Sequence, residues 1–156
     1  MKEIDGFVLS DDLTVLEAYK GKEKNIAIPK GVKVVKDYVF MGMNIRSVVL
    51  NEELEQIGHR AFQTTNIKEI VIPASVFSIG YCAFNCCYKL KKVTILNPKV
   101  TMYTDSFDHC YKLEYIYFNG TEDEWFDTIY DEDDGGLFLT YPAKIHLKDG
   151  KVLNWR

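Results

Sequence analysis

Apolar residues recur along this chain with a long period rather than a short one. The segments IAIPKGVKVVKDYVF from Ile26, VVLNEELEQIGHRAF from Val48 and IVIPASVFSIGYCAF from Ile70 share one pattern, and a looser copy, VTILNPKVTMYTDSF, starts at Val93. The starts lie 22, 22 and 23 residues apart, and a fifth, Ile116-Tyr117-Phe118, follows 23 later. Single columns hold that register. One reads Ile28, Leu50, Ile72, Ile95, Phe118; another Val35, Ile57, Ile79, Met102; a third Phe40, Phe62, Phe84, Phe107. Slim residues precede each Phe (Val39, Ala61, Ala83, Ser106), and Met43, Thr65, Cys87 and Cys110 stand three positions after it. Chance placement of apolar residues would not keep one column purely Phe.

Self-similarity at such a period predicts a solenoid. Each unit alone has too little apolar surface to fold, but stacked in register it buries its Ile and Phe side chains against the next. Segments with apolar residues two apart, such as Ile70 and Ile72, read as strands with one face inward. Adjacent copies would then form a parallel ladder with about 4.8 Å between strands. Pro29 and Pro73 follow the strands and help end them. The pattern Ile79-Gly80-x-x-Ala83-Phe84 turns the chain back, and Gly58 and Gly80 in one column suggest a tight turn. Lys36 and Tyr103 hold that column elsewhere, so a positive φ is not required throughout.

A solenoid must cover the apolar faces at its two ends. Phe7, Leu9, Leu13, Val15 and Leu16 flank a Ser10-Asp11-Asp12 turn, which predicts a hairpin. At the other end Trp125, Phe126, Ile129 and Tyr130 fall at helical spacing after Thr121, and Glu124 completes a capping box. The alternating run Ala143-Lys144-Ile145-His146-Leu147 predicts a terminal strand before an Asp149-Gly150 turn. The expected fold is a β-rich repeat solenoid of leucine-rich-repeat type with short parallel strands and about five coils. An N-terminal hairpin cap spans 1–24, repeats span 25–118 and a C-terminal helix-plus-strand cap spans 119–156, in a single domain over 1–156.

The copies resemble the BspA-like (Treponema pallidum type) leucine-rich repeats. The residues that carry the likeness are Leu90, Val93 and Ile95, and Ile70, Ile72, Pro73, Ser75, Val76, Ile79, Gly80, Ala83, Phe84 and Cys87. It covers about residues 26–118 directly. FVLSDDLTVLEAYKG resembles that family's opening hairpin, and YFNGTEDEWFDTI its closing segment. The resemblance implies a bacterial or protist surface protein that binds other proteins or host matrix, with cysteine as ordinary filler of the Cys87 column.

Composition narrows the function. Hydrophobic residues make up 47% and charged residues 27%, as in a globular protein, and the net charge of −4 argues against a duplex nucleic-acid partner. No run is long and apolar enough to insert in a membrane, and the opening MKEIDGFVLSDD is not a signal peptide. The expected location is the cytoplasm if Met1 is the native start, or the cell surface or exterior if an export signal was removed. The four cysteines, at 82, 86, 87 and 110, read as free buried thiols, with one disulfide as the alternative.

Catalytic and metal patterns are weak. Cys82, Cys86 and Cys87 form C-x3-C-C, and stacking would place Cys87 near Cys110 and Cys86 near His109, which reads as core filler rather than a zinc site. The run from Glu122 to Asp134 holds eight acids, but an EF-hand loop begun at Asp131 puts Gly135 at position 5 and Pro142 at position 12, so it reads as a solvated acidic loop. Asp105, Ser106, Asp108 and His109 cluster in sequence, but Ser106 should point inward, and no nucleophile or phosphate-loop motif occurs. Asn119-Gly120-Thr121 matches a glycosylation sequon, though Thr121 has a better role as the helix cap. No catalytic residue, metal or cofactor is expected.

The outward strand positions attract more interest. Ser47 and Val49, Glu69 and Val71, Lys92 and Thr94, and Tyr115 and Tyr117 form a polar column beside an apolar one, ending in two tyrosines. Exposed apolar and aromatic patches mark binding surfaces, and Tyr is enriched at interface hot spots; Val, Thr and Tyr also suit any sheet. The expected function is a non-enzymatic protein-interaction module that binds an unidentified protein partner through this face. The alternatives are a cell-surface adhesin fragment recognising host matrix or carbohydrate, and a hydrolase at the acidic cap around Trp125.

Overall fold

The computed structural model describes residues 1–130 and 142–155. Three strands open the chain: β1 (Lys2–Ile4), β2 (Phe7–Leu9) and β3 (Val15–Tyr19), joined as an antiparallel meander. The Ser10 hydroxyl and the Thr14 N–H and hydroxyl donate to Asp12 at the β2–β3 turn, and these bonds hold its carboxyl below the usual range.

Each coil that follows carries two short strands. Those on one side are β4 (Asn25–Ala27), β6 (Ser47–Val49), β8 (Glu69–Ile72), β10 (Lys92–Ile95) and β12 (Tyr115–Phe118); those on another are β5 (Val34–Val35), β7 (Gln56–Ile57), β9 (Ser78–Ile79) and β11 (Thr101–Tyr103). After β12 come a single short helix, α1 (Glu122–Asp127), then β13 (Ile129–Tyr130), β14 (Ala143–Leu147) and β15 (Val152–Trp155). The first series makes two sheets, β4-β6 and β8-β10-β12-β14-β15, and the second extends the opening meander into an eight-stranded sheet ending at β13. Neighbouring coils pair in parallel and in register: Val93 lies between Ile70 and Ile116, and Ile57 between Val35 and Ile79. This is a β-solenoid of about five turns.

The second sheet leaves no local pattern in the sequence. Two-residue strands are too short for alternation to register, but the Val35, Ile57, Ile79 and Met102 column points wholly inward from it. On the third side of each coil the corner backbone is laddered without forming strands. Phe40 N–H donates to Ala61 O at 2.8 Å, Phe62 N–H to Ala83 O at 2.8 Å and Phe84 N–H to Ser106 O at 2.8 Å. Backbone polar groups of a buried segment must find partners, and here the next coil supplies them.

The Phe column runs through the interior. Phe40, Phe62, Phe84 and Phe107 stack with centroids 5.0, 5.2 and 5.1 Å apart, the last two pairs within 1° of parallel. Tyr19 lies 5.5 Å from Phe40 and Phe7 4.9 Å from Tyr19, so the opening hairpin continues the file and closes its end. Offset ring pairs at such distances stabilise by about 0.5–1.5 kcal/mol each beyond area burial. Beside the rings, the Thr65 hydroxyl and the Cys87 thiol both donate to Phe62 O, at 2.9 and 3.2 Å, and the Cys110 thiol donates to Phe84 O at 3.2 Å. All four cysteines are free thiols.

Two expectations need correction. Gly58 and Gly80 do not have positive φ. They are glycines because the coils touch there: a Cβ on Gly80 would sit 2.7 Å from the Gly58 carbonyl carbon, and one on Gly58 would sit 2.6 Å from Asp37 N. The left-handed residues of those corners come two positions later, at Arg60 (φ 54°) and Cys82 (φ 54°). The helical spacing read through Tyr130 stops earlier, at Asp127. Thr128 Oγ1 donates to Trp125 O at 2.6 Å and closes the helix, after which Ile129 and Tyr130 pair with Met102 and Tyr103. The capping box of Thr121 and Glu124 is formed as expected, and Trp125 is buried edge-on to Phe118 at 5.2 Å.

Candidate functional site

Strand alternation decides which side chains face outward on β6, β8, β10 and β12. Ile70 and Ile72 point in, so Glu69 and Val71 point out, and the other strands follow by register. Val49 is 65% exposed, Val71 53%, Tyr115 37% and Tyr117 40%, which is high for large apolar side chains in a sheet. Ser47 is exposed and Lys92 and Thr94 half-buried. All eight residues singled out from the sequence therefore lie on one face.

The face has two parts. Between β6 and β8 lies a shallow cleft of about 210 Å³ walled by Val49, Leu50, Val71 and Pro73, with Glu52 and Glu69 at its rim. On β12 and β14 an aromatic cluster takes over. Tyr117 stacks on His146 at 4.8 Å, Tyr115 lies 5.9 Å from the same imidazole, and the Lys92 ammonium stands 5.7 Å over the Tyr117 ring. Lys92 also reaches Glu69 at 3.7 Å across the ladder. His146 Nε2 is shielded from solvent and has no hydrogen-bond partner among the described residues.

Sequence reasoning missed Lys144 and His146. They continue the two outward columns, paired with Tyr115 and Tyr117, but α1 and the residues after it lengthen this coil, so Leu147 answers Phe118 at 29 residues instead of 22 or 23. The signal available was the Ala143, Ile145, Leu147 alternation, all three of which are buried.

The chemistry weighed elsewhere takes these positions. Ser106 is fully buried and its hydroxyl donates to the carbonyls of Tyr103 and Gly80, so it is committed to the backbone. Asp108 Oδ2 lies 2.6 Å from His109 Nδ1, a pair held beside a corner. His59 Nδ1 accepts from Tyr81 N–H at 2.9 Å. Hydrogen bonding with Cys87, and then burial, push the Cys110 thiol well above its ordinary range, which keeps it protonated. Among the described residues no three His, Cys, Asp or Glu side chains gather as metal ligands. Around the acidic cap, a hollow of about 550 Å³ is lined by Glu122, Phe126 and Val152–Trp155, and its one carboxylate, Glu122, is engaged by Lys151. The calcium reading rested on Asp131–Gly136, outside the described residues. No described helix is long and apolar enough to cross a membrane.

Solved structures share the architecture. A leucine-rich repeat protein from Bacteroides ovatus is 27% identical with a TM-score of 0.57, over 61% of this chain and 25% of that one. The pneumococcal vaccine antigen PcpA is 20% identical with a TM-score of 0.59, over 95% of this chain and 37% of that one. A T. pallidum leucine-rich repeat protein is 22% identical with a TM-score of 0.55, over 74% of this chain and 71% of that one. The chain thus spans well under half of the Bacteroides and pneumococcal chains. No curated protein matches it. The sequence profile of the BspA type leucine rich repeat region matches residues 17–132 in six copies. With that match covering most of its length and its coils stacked as described, the chain belongs to the BspA-type leucine-rich repeat family.

Proposed function

We propose that this protein is a non-enzymatic interaction module that binds a protein partner through the strand face. Leucine-rich-repeat solenoids are typically binding scaffolds, and their extended surfaces suit that use. One observation carries the reading: Val49, Val71, Tyr115 and Tyr117 remain exposed along a continuous face where polar residues would serve a solvated sheet equally well. The Tyr117–His146 stack presents a rigid aromatic anchor at low conformational cost.

The double substitution Tyr115→Ala, Tyr117→Ala should leave the thermal melt close to wild type, since both rings are substantially exposed. It should weaken partner binding by about 2 kcal/mol, a hot-spot loss. Affinity capture from the native host, quantified for both proteins, reads this out; recovery of the same partners at the same yield would remove the assignment. A second reading, a cell-surface adhesin recognising matrix or carbohydrate, is favoured by the exposed basic residues that border the same face, Lys24, Arg46, Lys68 and Lys91.

A further inference from the structure

Four cations stand in file beside the strand face. Lys24, Arg46, Lys68 and Lys91 each precede the outward residue at the start of a strand, and all four are exposed. Pairing of Asn25 with Ser47 sets Lys24 beside Arg46, and pairing of Glu69 with Lys92 sets Lys68 beside Lys91. The Asn66 side-chain amide, donating to Asn44 Oδ1 at 2.9 Å, keeps the coils of Arg46 and Lys68 in step. The file therefore advances one cation per coil, about 4.8 Å. It ends against Glu114 in the next coil.

The adjoining outward column is neutralised in register, as are columns on the other sheet, and this file is not. Lys92 meets Glu69 at 3.7 Å, Lys33 meets Glu55 at 3.0 Å and Lys36 meets Glu17 at 2.5 Å, each across one coil. None of Lys24, Arg46, Lys68 and Lys91 forms an ion pair among the described residues. Like charges opposite one another on adjacent strands are destabilising, yet they recur here in a chain whose net charge is −4. Lys89 and Lys112 add exposed charge in the turns that lead into β10 and β12. In the same turns Tyr88 and Tyr111, both exposed, stack at 5.4 Å.

We propose that this file binds an acidic polysaccharide, a glycan carrying carboxylate or sulfate on successive sugars, laid along the solenoid axis. A straight row at single-coil spacing matches the advance of one sugar in an extended glycan. An extended acidic peptide instead alternates its side chains between two faces at about 3.3 Å per residue. The exposed ring of Tyr88 offers flat apolar surface to the C–H face of a sugar ring. Because the Tyr88 and Tyr111 rings stack on each other, no base can enter between them, which disfavours a single-stranded nucleic acid held by aromatic platforms. The inference does not rest on the protein-partner reading of the tyrosine face, and it gives the carbohydrate alternative a defined site.

The probe is a heparin oligosaccharide, set beside uncharged dextran and a single-stranded oligonucleotide of equal charge. Lys68→Glu with Lys91→Glu should weaken heparin binding by about tenfold or more, and Lys68→Ala with Lys91→Ala should reduce the slope of log K against log salt by about 2, one for each lost contact. Lys30→Glu with Lys99→Glu makes the same charge change at exposed sites beyond the far ends of the strands and should leave binding nearly unaltered. Dextran should not bind. Tyr115→Ala with Tyr117→Ala should retain heparin binding, which separates a failure here from a failure of the partner assignment. Wild-type heparin affinity in the Lys68/Lys91 variant, equal loss in both lysine pairs, binding of dextran, or tighter binding of the oligonucleotide than of heparin would each overturn the proposal. Thermal melts of all variants confirm that the fold is retained.

Discussion

Two residues in every repeating coil take left-handed backbone, and seven of these eight are not glycine. Tyr38, Arg60, Cys82 and Asp105 form one such column, with Gly42, Thr64, Cys86 and His109 forming the other, at φ between 54° and 72°. This conformation costs an L-residue roughly 1–2 kcal/mol. It persists because six of the eight corner N–H groups reach the following coil, as Arg60 N–H donates to Tyr81 O at 2.9 Å and Thr64 N–H to Asn85 O at 3.0 Å. Thr64 is the least suited of the eight, being β-branched, while Gly42 in its own column shows that glycine fits the corner. Thr64→Gly should therefore raise stability by about 1 kcal/mol, read as a higher urea midpoint; a lower midpoint would show that the Thr64 side chain contributes more than its backbone costs. Little of this was legible from residue identities: Gly42, Asp105 and His109 are types that favour left-handed backbone, but Tyr, Arg, Thr and Cys at the other five positions are not. The Gly58 and Gly80 column was visible, but its cause, backbone contact between coils, required the stacking distance.

At the scale of the element, the ring stack explains why one column tolerates only Phe. Each ring touches the coil above and the coil below, so a gap in the middle is felt twice. Phe84 lies between Phe62 at 5.2 Å and Phe107 at 5.1 Å and is fully buried. Phe84→Ala should cost about 3–5 kcal/mol, measured by chemical denaturation, and a cost under about 1 kcal/mol would mean that the coils close over the cavity. The strands and the stack were legible because like side chains repeat at a near-constant interval, and the capping box because Glu124 stands three residues after Thr121. The short second strands and the end of α1 were not. Their backbone is recruited by the neighbouring coil, as Ile129 is by Met102, and that pairing leaves no local pattern.

Across the whole molecule, stability is shared between nearest neighbours, so opening should begin at the ends. Among the described residues β4 pairs on one side only, with β6, and β15 only with β14. Native-state hydrogen exchange should leave the Gly58 and Gly80 amides, bonded to Val35 O and Ile57 O at 2.8 Å, among the last to exchange, and the β4 amides among the first. Uniform rates along the chain would point instead to all-or-none opening. Charge at this scale was concealed by summation: a total of −4 gave no sign that one flank of the strand face carries four cations in successive coils. The outward columns were legible as far as Tyr117 and were lost beyond it, where the final coil is longer. The parallel registers have a further consequence. Because every buried column in the middle coils meets its own kind above and below, the girth of this protein is dictated within a coil, whereas nothing inside it dictates height. Copying residues 70–92 in tandem would keep Ile70 and Val93 in register and repeat the same columns at the new junctions, so evolution or an engineer can lengthen the rod in steps of one coil without redesigning the interior.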